Sequence, residues 1–178
     1  GNLGDMVNSG VELEVGYRDT YGDFNWHISA NATYNKNSLT YLGDDATDLY
    51  GSSHKIGQLT RGEIGLPFPF FYGYKTDGVF QNAAEVAAYT NAEGNMIQPN
   101  ATPGDFRFQD INGDGKITVD DKVIIGNAQP LGVGGFNLSG YLYGFDFSAN
   151  FNYVFGNNIY NANKIEFSHS RKYSNRNL

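Results

Sequence analysis

The stretch FNWHISANATYNKN, running from Phe24 to Asn37, alternates apolar and polar side chains from its first residue to Tyr34. Successive side chains of a β-strand point to opposite faces, so this alternation places every apolar side chain on one face. The other face carries only Asn, His, Ser and Thr side chains, among them His27 and Asn31. The period of two residues predicts a β-strand with one apolar and one polar face.

Three further segments show the same alternation, and together the four predict an all-β, antiparallel fold. In the first of them Val11 and Leu13 alternate with Glu12 and Glu14. Many Tyr, Phe and Gly residues, with few charges, agree with strands joined by tight turns. The three segments are Ser9–Asp19, Gly135–Tyr143 and Phe145–Phe155.

Two architectures fit such strands. In a soluble sandwich the apolar face forms the core, whereas in an outer-membrane barrel it meets lipid and the polar face lines a wet lumen. The segments have about the 9–11 residues that a tilted strand needs to cross a bilayer. Aromatic side chains also lie near the ends of the apolar faces, as in the aromatic girdles of membrane barrels. These observations favour a transmembrane β-barrel segment. The aromatic residues are Tyr17, Phe24, Trp26, Tyr34, Phe145, Tyr153 and Phe155.

The connections between the segments differ greatly in length. Thr20-Tyr21-Gly22 and Tyr143-Gly144-Phe145 are short turns, whereas the connection from Leu39 to Leu131 is long. Membrane barrels have short turns on one side and long loops on the extracellular side. We therefore expect a hairpin in 1–38, a long extracellular loop in 39–131, and a second hairpin in 132–157. The remainder, 158–178, should begin the next extracellular loop or strand.

The long connection contains DINGDGKITVDD, from Asp110 to Asp121, which has the opening of an EF-hand-type calcium loop. Asp110, Asn112 and Asp114 place an oxygen on every second residue, and a glycine follows where the loop turns sharply. The Lys116 carbonyl stands at the seventh position. Asp121 stands at the twelfth, where EF-hands carry Glu, so the loop is more like a dockerin repeat. We predict Ca²⁺ bound by these five residues; the alternative is a solvated Asp/Gly turn without a metal.

Other kinds of site are weakly supported. The net charge of −7 argues against a nucleic-acid partner, which requires a basic face. No nucleophile elbow, phosphate-binding loop or clustered histidines point to an enzyme. An aromatic group in the long connection could stack on sugar rings or face a partner protein, but packing within the loop is the favoured interpretation. Its members are Phe70, Phe71, Tyr72, Tyr74 and Phe80.

The order of motifs along the chain resembles the C-terminal barrel portion of SusC/RagA-type TonB-dependent outer-membrane transporters of Bacteroidota. The resemblance extends to about Asn163 and is specific because the motifs follow one another in order. They are NSGVELEV at Asn8–Val15, FNWHISANATYNKN at Phe24–Asn37, FYGYKTDGVFQN at Phe71–Asn82, PGDFRFQDINGDGKI at Pro103–Ile117, DDKVIIGNAQP at Asp120–Pro130 and FGNNIYN at Phe155–Asn161.

The resemblance implies part of a barrel of roughly 22 strands that imports nutrients, either glycans or peptides. Such transporters receive energy through TonB, and a SusD-like surface lipoprotein usually caps the barrel. The chain has no plug and no TonB box, so we expect a fragment embedded in outer-membrane lipid. The alternative is a soluble secreted calcium-binding β-module for adhesion or carbohydrate binding.

Overall fold

A computed structural model describes residues 4–43, 48–53 and 56–167 of the 178-residue chain. Within these ranges the chain forms ten strands and two short helices. The strands are β1 (Gly4–Tyr21), β2 (Phe24–Leu42), β3 (Asp48–Ser53), β4 (Ile56–Glu63), β5 (Phe70–Tyr74), β6 (Thr76–Val79), β7 (Phe106–Phe108), β8 (Lys122–Asn127), β9 (Gly132–Leu142) and β10 (Phe145–Phe155); the helices are α1 (Ala83–Ala88) and α2 (Ala162–Phe167).

The four alternating segments form one antiparallel sheet, which confirms the strand prediction. The strand order is β1-β2-β9-β10, so the strands on either side of the long connection are neighbours. Ile28 pairs with Leu138, which in turn pairs with Ala149. Ser29 pairs with Asn137, which pairs with Asn150. Because paired residues point to the same face, the register keeps apolar and polar side chains on separate faces.

Both hairpins of this sheet have two-residue turns. Gly22 has a φ of +61°, and Tyr143 and Gly144 have φ values of +48° and +89°. The second turn has two successive positive φ values, at Tyr143 and Gly144. This is typical of a type I′ turn, which matches the right-handed twist of the flanking strands. The turns therefore lock the register that separates the two faces.

The long connection has a sheet of its own, ordered β3-β4-β5-β8, and a two-stranded pair formed by β6 and β7. Phe70 and Phe80, each 1% exposed, lie in its core. Asn82 caps α1 by accepting a hydrogen bond from the Glu85 N–H. The Glu85 carboxylate accepts from the Gln81 N–H, one residue before the cap.

Several element boundaries extend beyond the sequence prediction. Strand β2 continues to Leu42, past the predicted start of the long loop at Leu39. Strands β3 and β4 have no counterpart in the sequence prediction, and helix α2 follows the second hairpin. No helix in the described ranges is long and apolar enough to cross a membrane.

The chain divides into two compact units. One comprises 1–10 and 35–127, and contains the sheet of the long connection. The other comprises 11–34 and 128–178, and contains most of the sheet formed by β1, β2, β9 and β10.

Candidate functional site

The first candidate surface is the apolar face of the sheet formed by β1, β2, β9 and β10. Val11 is 72% exposed and Phe145 is 79% exposed, although both belong to the apolar pattern. Water-soluble monomers rarely leave a contiguous apolar patch of more than a few hundred Å² uncovered. Other exposed members of this face are Leu13, Val15, Tyr17, Tyr34, Phe136, Leu142, Phe147, Phe151, Tyr153 and Phe155.

Aromatic side chains concentrate near the two ends of this face. At one end the rings of Tyr17 and Trp26 lie 5.3 Å apart, and those of Phe24 and Phe147 lie 6.2 Å apart. At the other end the rings of Tyr153 and Phe155 are stacked 6.4 Å apart. Of the two middle rows, one holds Ile28, Leu138 and Ala149. The other pairs Ala30 with Phe136 and Phe151, whose rings lie 6.1 Å apart.

The opposite face is mainly polar, although Val133 pairs with Val154 at one end of it. Asn137 donates a short side-chain hydrogen bond to Asn150, its cross-strand partner. His27 pairs with Ser139, and a Cβ built on Gly16 would contact His27 and Ser29. The sheet therefore presents water-compatible amide, hydroxyl and imidazole groups on one side and hydrocarbon on the other.

The second candidate site is the Asp110–Asp121 loop, which folds around its own side-chain oxygens. The Asp110 carboxylate accepts from the N–H groups of Gly113 and Gly115 at 2.7 and 2.8 Å. Asn112 Oδ1 accepts from the Asp114 N–H at 2.9 Å, and Asp114 Oδ1 accepts from the Lys116 N–H at 3.1 Å. In these successive turns each side-chain oxygen bonds to N–H groups that follow it in the chain.

Asp121 closes the loop from its far end. Its side chain is fully buried and accepts from the N–H groups of Ile111 and Thr118 at 2.9 and 2.7 Å. Thr118 and Asp121 form a capping box on a single turn of 3-10 helix. The Thr118 N–H bond, followed by those from Ile111 and Asn112, lowers the pKa of the Asp121 carboxyl below its usual value. Its negative charge is therefore stabilised inside the loop.

The fit of this loop to calcium depends on mixed oxygen ligands. In the described part of the chain no three His, Cys, Asp or Glu side chains lie close enough together to hold a metal ion. The predicted set includes three such carboxylates, those of Asp110, Asp114 and Asp121, which therefore do not surround a common point in this structure. Asn112 would add an amide oxygen and Lys116 a backbone carbonyl. The order of ligands and the sharp turn at Gly115, with a φ of +83°, agree with an EF-hand-type loop. Calcium binding stays a prediction.

The aromatic group of the long connection is mainly packed. Phe70 and Phe80 are buried, as the favoured interpretation predicts, whereas Tyr72 and Tyr74 are half-buried. The Arg61 guanidinium lies 4.8 Å from the Tyr72 ring centre and bonds to Asp48 Oδ1 through two nitrogens, at 2.9 and 3.0 Å. This stack joins β3, β4 and β5 within their sheet.

A third feature, which the sequence did not indicate, is a cavity beside β7. It is formed by Phe106 and Phe108 on β7, by Ile97 from the segment after α1, and by Ile117 from the Asp110–Asp121 loop. These side chains come from three separate stretches of the chain. No local pattern of apolar residues marks them as neighbours.

Comparison with known proteins identifies the class to which this architecture belongs. TonB-dependent receptor P3 of Formosa agariphila is 31% identical over 175 residues, which covers 93% of this chain and 16% of the receptor. TonB-dependent receptor P39 of the same organism is 32% identical over 191 residues, covering 89% of this chain and 18% of the receptor. No protein-family model matches the chain. The chain belongs to the TonB-dependent receptors, and it spans about a sixth of their length.

Within that class the resemblance to SusC/RagA-type receptors is confirmed. TonB-dependent receptor SusC of Bacteroides thetaiotaomicron is 28% identical over 187 residues, covering 98% of this chain and 17% of SusC. The fold matches the RagAB peptide importer in its open-open state with a TM-score of 0.61 at 22% identity, covering 86% of this chain and 15% of that one. The closed-closed state of the RagAB peptide importer matches with a TM-score of 0.60 at 24% identity, covering 88% of this chain and 16% of that one.

Proposed function

We propose that this chain is part of an outer-membrane importer that takes up glycans or peptides with energy supplied through TonB. The observation that carries the proposal is the sheet with one exposed apolar face and one polar face. Lipid would cover the apolar face, and the polar face would line a wet lumen. The membership in the TonB-dependent receptors supports the same function.

The dimensions of the apolar face suit a bilayer. The strand β10 runs from Phe145 to Phe155, ten steps of about 3.3 Å each, or about 33 Å along the strand. A strand tilt of about 40° projects this length onto about 25 Å, the height of the apolar band of membrane barrels. The aromatic side chains at both ends of β10 would then lie at the two interfaces between lipid and water.

We further propose that the long connection faces the cell exterior and contacts a SusD-like lipoprotein. The two-residue turns would lie on the periplasmic side, because long loops of such barrels are extracellular. The free edges of β1 and β10 would pair with further strands of the whole receptor, since an open sheet edge in lipid leaves unsatisfied backbone groups. The named RagAB neighbour, a peptide importer, supports a role in uptake.

Calcium would stabilise the long connection. It would be held by Asp110, Asn112, Asp114, the Lys116 carbonyl and Asp121, whose oxygen ligands suit a hard cation. The ion would neutralise the carboxylates of the loop and tie β7 to β8.

The orientation of the sheet can be tested with spin labels in the full-length receptor in lipid nanodiscs. Labels at Ile28→Cys and Asn31→Cys lie on opposite faces of the same strand, so each serves as the control for the other. We expect oxygen to relax the label at position 28 and a water-soluble nickel reagent to relax the label at position 31. If neither oxygen nor the nickel reagent relaxed the label at position 28, that side chain would be buried in a protein core. The soluble sandwich would then replace the membrane interpretation.

The metal can be tested by calorimetric titration of the same receptor with calcium. Asp114→Asn should weaken binding, because it removes one of the charged ligands while the amide oxygen can still accept from Lys116 N–H. Asp120→Asn is the matched control, since Asp120 is acidic and adjacent to the loop end but outside the predicted ligand set. Equal calcium affinity in both variants would show that the ion binds elsewhere.

A further inference from the structure

The cavity beside β7 is explained neither by the two-faced sheet nor by the calcium loop. Its volume is about 430 Å³, within the range of roughly 300–1,000 Å³ typical of ligand pockets. Six of its nine lining residues are apolar and three are polar. The residues that matter for recognition are the apolar Ile97, Phe106, Phe108 and Ile117, with the polar Asn100 and Asp105.

The wall of the cavity is held in place by specific contacts. Gln98 donates from Nε2 to the Phe106 carbonyl at 3.2 Å and accepts from the Phe108 N–H at 2.8 Å. Its side chain therefore satisfies an edge of β7 as a neighbouring strand would. Ile97 is 8% exposed, and the Phe108 ring packs 5.3 Å from that of Tyr74. The cavity is consequently preformed, which lowers the entropic cost of binding.

Phe106 differs from the rest of the wall because it is 59% exposed. Its ring lies 6.5 Å from that of Phe108, so the two rings form one aromatic surface. An exposed phenyl ring at a cavity mouth offers both apolar contact and a π-face for a cation. Phe106 can thus contact a ligand without first leaving a packed core.

The charge at the cavity is negative and unbalanced. Asp105 Oδ2 accepts from Thr102 N–H and Oγ1 at 2.8 and 2.9 Å, whereas its Oδ1 accepts no hydrogen bond from the described residues. The residues that line the cavity include no Lys or Arg. Arg107 lies between Phe106 and Phe108, and its guanidinium pairs with Asp77 at 3.0 Å. Side-chain alternation directs Arg107 to the opposite face of β7.

The chemistry of these groups selects among ligands. A neutral sugar would press hydroxyl groups against isoleucine and phenylalanine walls, where they would lose hydrogen bonds to water. Gln98 compensates only in part, because its bonds to β7 leave it one further N–H and one lone pair. In a ligand with an apolar side chain next to a cationic group, the apolar side chain would pack against the apolar wall. The cationic group would pair with the Asp105 carboxylate. We propose that this cavity binds peptides through an apolar side chain next to a cationic group.

This inference rests on the proposed importer function and narrows its substrate class to peptides. The test is calorimetric binding of N-acetyl-Phe-Lys-amide to the full-length receptor in detergent with calcium present. N-acetyl-Phe-Gln-amide has a similar shape without the cation, and maltotriose represents a neutral sugar. We expect the lysine peptide to bind about tenfold more tightly than the glutamine peptide, and maltotriose not to compete.

Two variants assign the binding to the cavity. Phe106→Ala should weaken binding of the lysine peptide about tenfold or more, and Tyr50→Ala, an exposed aromatic outside the cavity, should leave it unchanged. Asp105→Asn keeps an oxygen for Thr102 but should remove the preference for lysine over glutamine; Glu93→Gln is its control. Tighter binding of maltotriose that Phe106→Ala weakens would overturn the peptide assignment.

Two further outcomes would refute the proposed peptide site. Absence of binding by both peptides, or equal effects of Phe106→Ala and Tyr50→Ala on binding of the lysine peptide, would refute the site. These assays need neither TonB nor an energised membrane. Failure of the importer function would instead appear as uptake by cells that does not depend on TonB, so the two failures are distinguishable.

Discussion

Replacing Gly134 with alanine tests whether the rings of β10 are seated on the glycines of β9. A Cβ at Gly134 would come within 3.0 Å of the Tyr153 ring and of the Asn31 backbone carbonyl, closer than real Cβ atoms approach other atoms. The tyrosine could move, but the carbonyl is part of the β2–β9 ladder. The sheet must therefore distort locally or lose the hydrogen bond that Tyr153 donates to the Asn31 carbonyl at 3.3 Å.

The expected cost follows from two contributions. Overpacking of this kind costs about 1–3 kcal/mol, and the lost tyrosine hydrogen bond adds about 0.5–1.5 kcal/mol. We therefore expect Gly134→Ala to lower the free energy of unfolding by about 1.5–4.5 kcal/mol. The neighbouring Gly135 provides the control, because a Cβ there would meet its nearest atoms at 3.4 Å, an ordinary contact.

The assay is the unfolding midpoint of the full-length receptor in detergent, followed by intrinsic fluorescence and by the shift between folded and unfolded bands on gels. Gly134→Ala should lower the midpoint clearly, whereas Gly135→Ala should remain within about 0.5 kcal/mol of the parent. The two substitutions add the same methyl group to the same strand, on opposite faces. Equal midpoints would refute the argument that aromatic rings require glycine beneath them.

Three further predictions concern the long connection. Arg61→Lys should lower the stability of the receptor by about 1 kcal/mol, because lysine cannot bond Asp48 through two nitrogens while stacking on tyrosine; an unchanged unfolding midpoint would contradict this. Bonds from the Thr102 backbone N–H and hydroxyl lower the pKa of Asp105, so binding of the lysine peptide should be constant above about pH 5 and fall only below about pH 4; loss of binding between pH 7 and pH 6 would implicate another group. Chelation of calcium should speed amide hydrogen exchange in Asp110–Asp121 while exchange in β9 and β10 stays slow, and identical exchange with and without chelator would show that no ion stabilises the loop.

The strands of the two-faced sheet were predictable because their signal is local. Alternation with a period of two is visible within a single segment, as in Phe24 to Tyr34, and a tight turn fixes which segment pairs with it. The strands β3 and β4 gave no such signal. Asp48–Ser53 has no alternation, and its pairing with Ile56–Glu63 is irregular at two points. Their structure depends on contacts between strands that sequence patterns do not record.

The calcium loop and the cavity also differ in whether the local sequence predicts them. The positions of Asp110, Asn112 and Asp114 in the loop could be predicted, because the motif itself specifies them. The burial of Asp121 could not be predicted from the motif, because it depends on bonds from N–H groups at both ends of the loop. The cavity combines distant stretches through Gln98, whose side chain substitutes for a strand. A side chain with that role leaves no periodic trace in the sequence.

The glycines of β9 carry information about register that a propensity argument overlooks. Glycine normally weakens a strand, because it adds backbone entropy and contributes no side chain to packing. Here Gly132, Gly134 and Gly140 each pair with an aromatic residue of β10, namely Phe155, Tyr153 and Phe147. The ring of each partner lies where the Cβ would be. Because the two-residue turn at Tyr143-Gly144 fixes the pairing, these combinations can be read directly from the sequence, and a shift by one residue would leave every ring opposite the wrong neighbour.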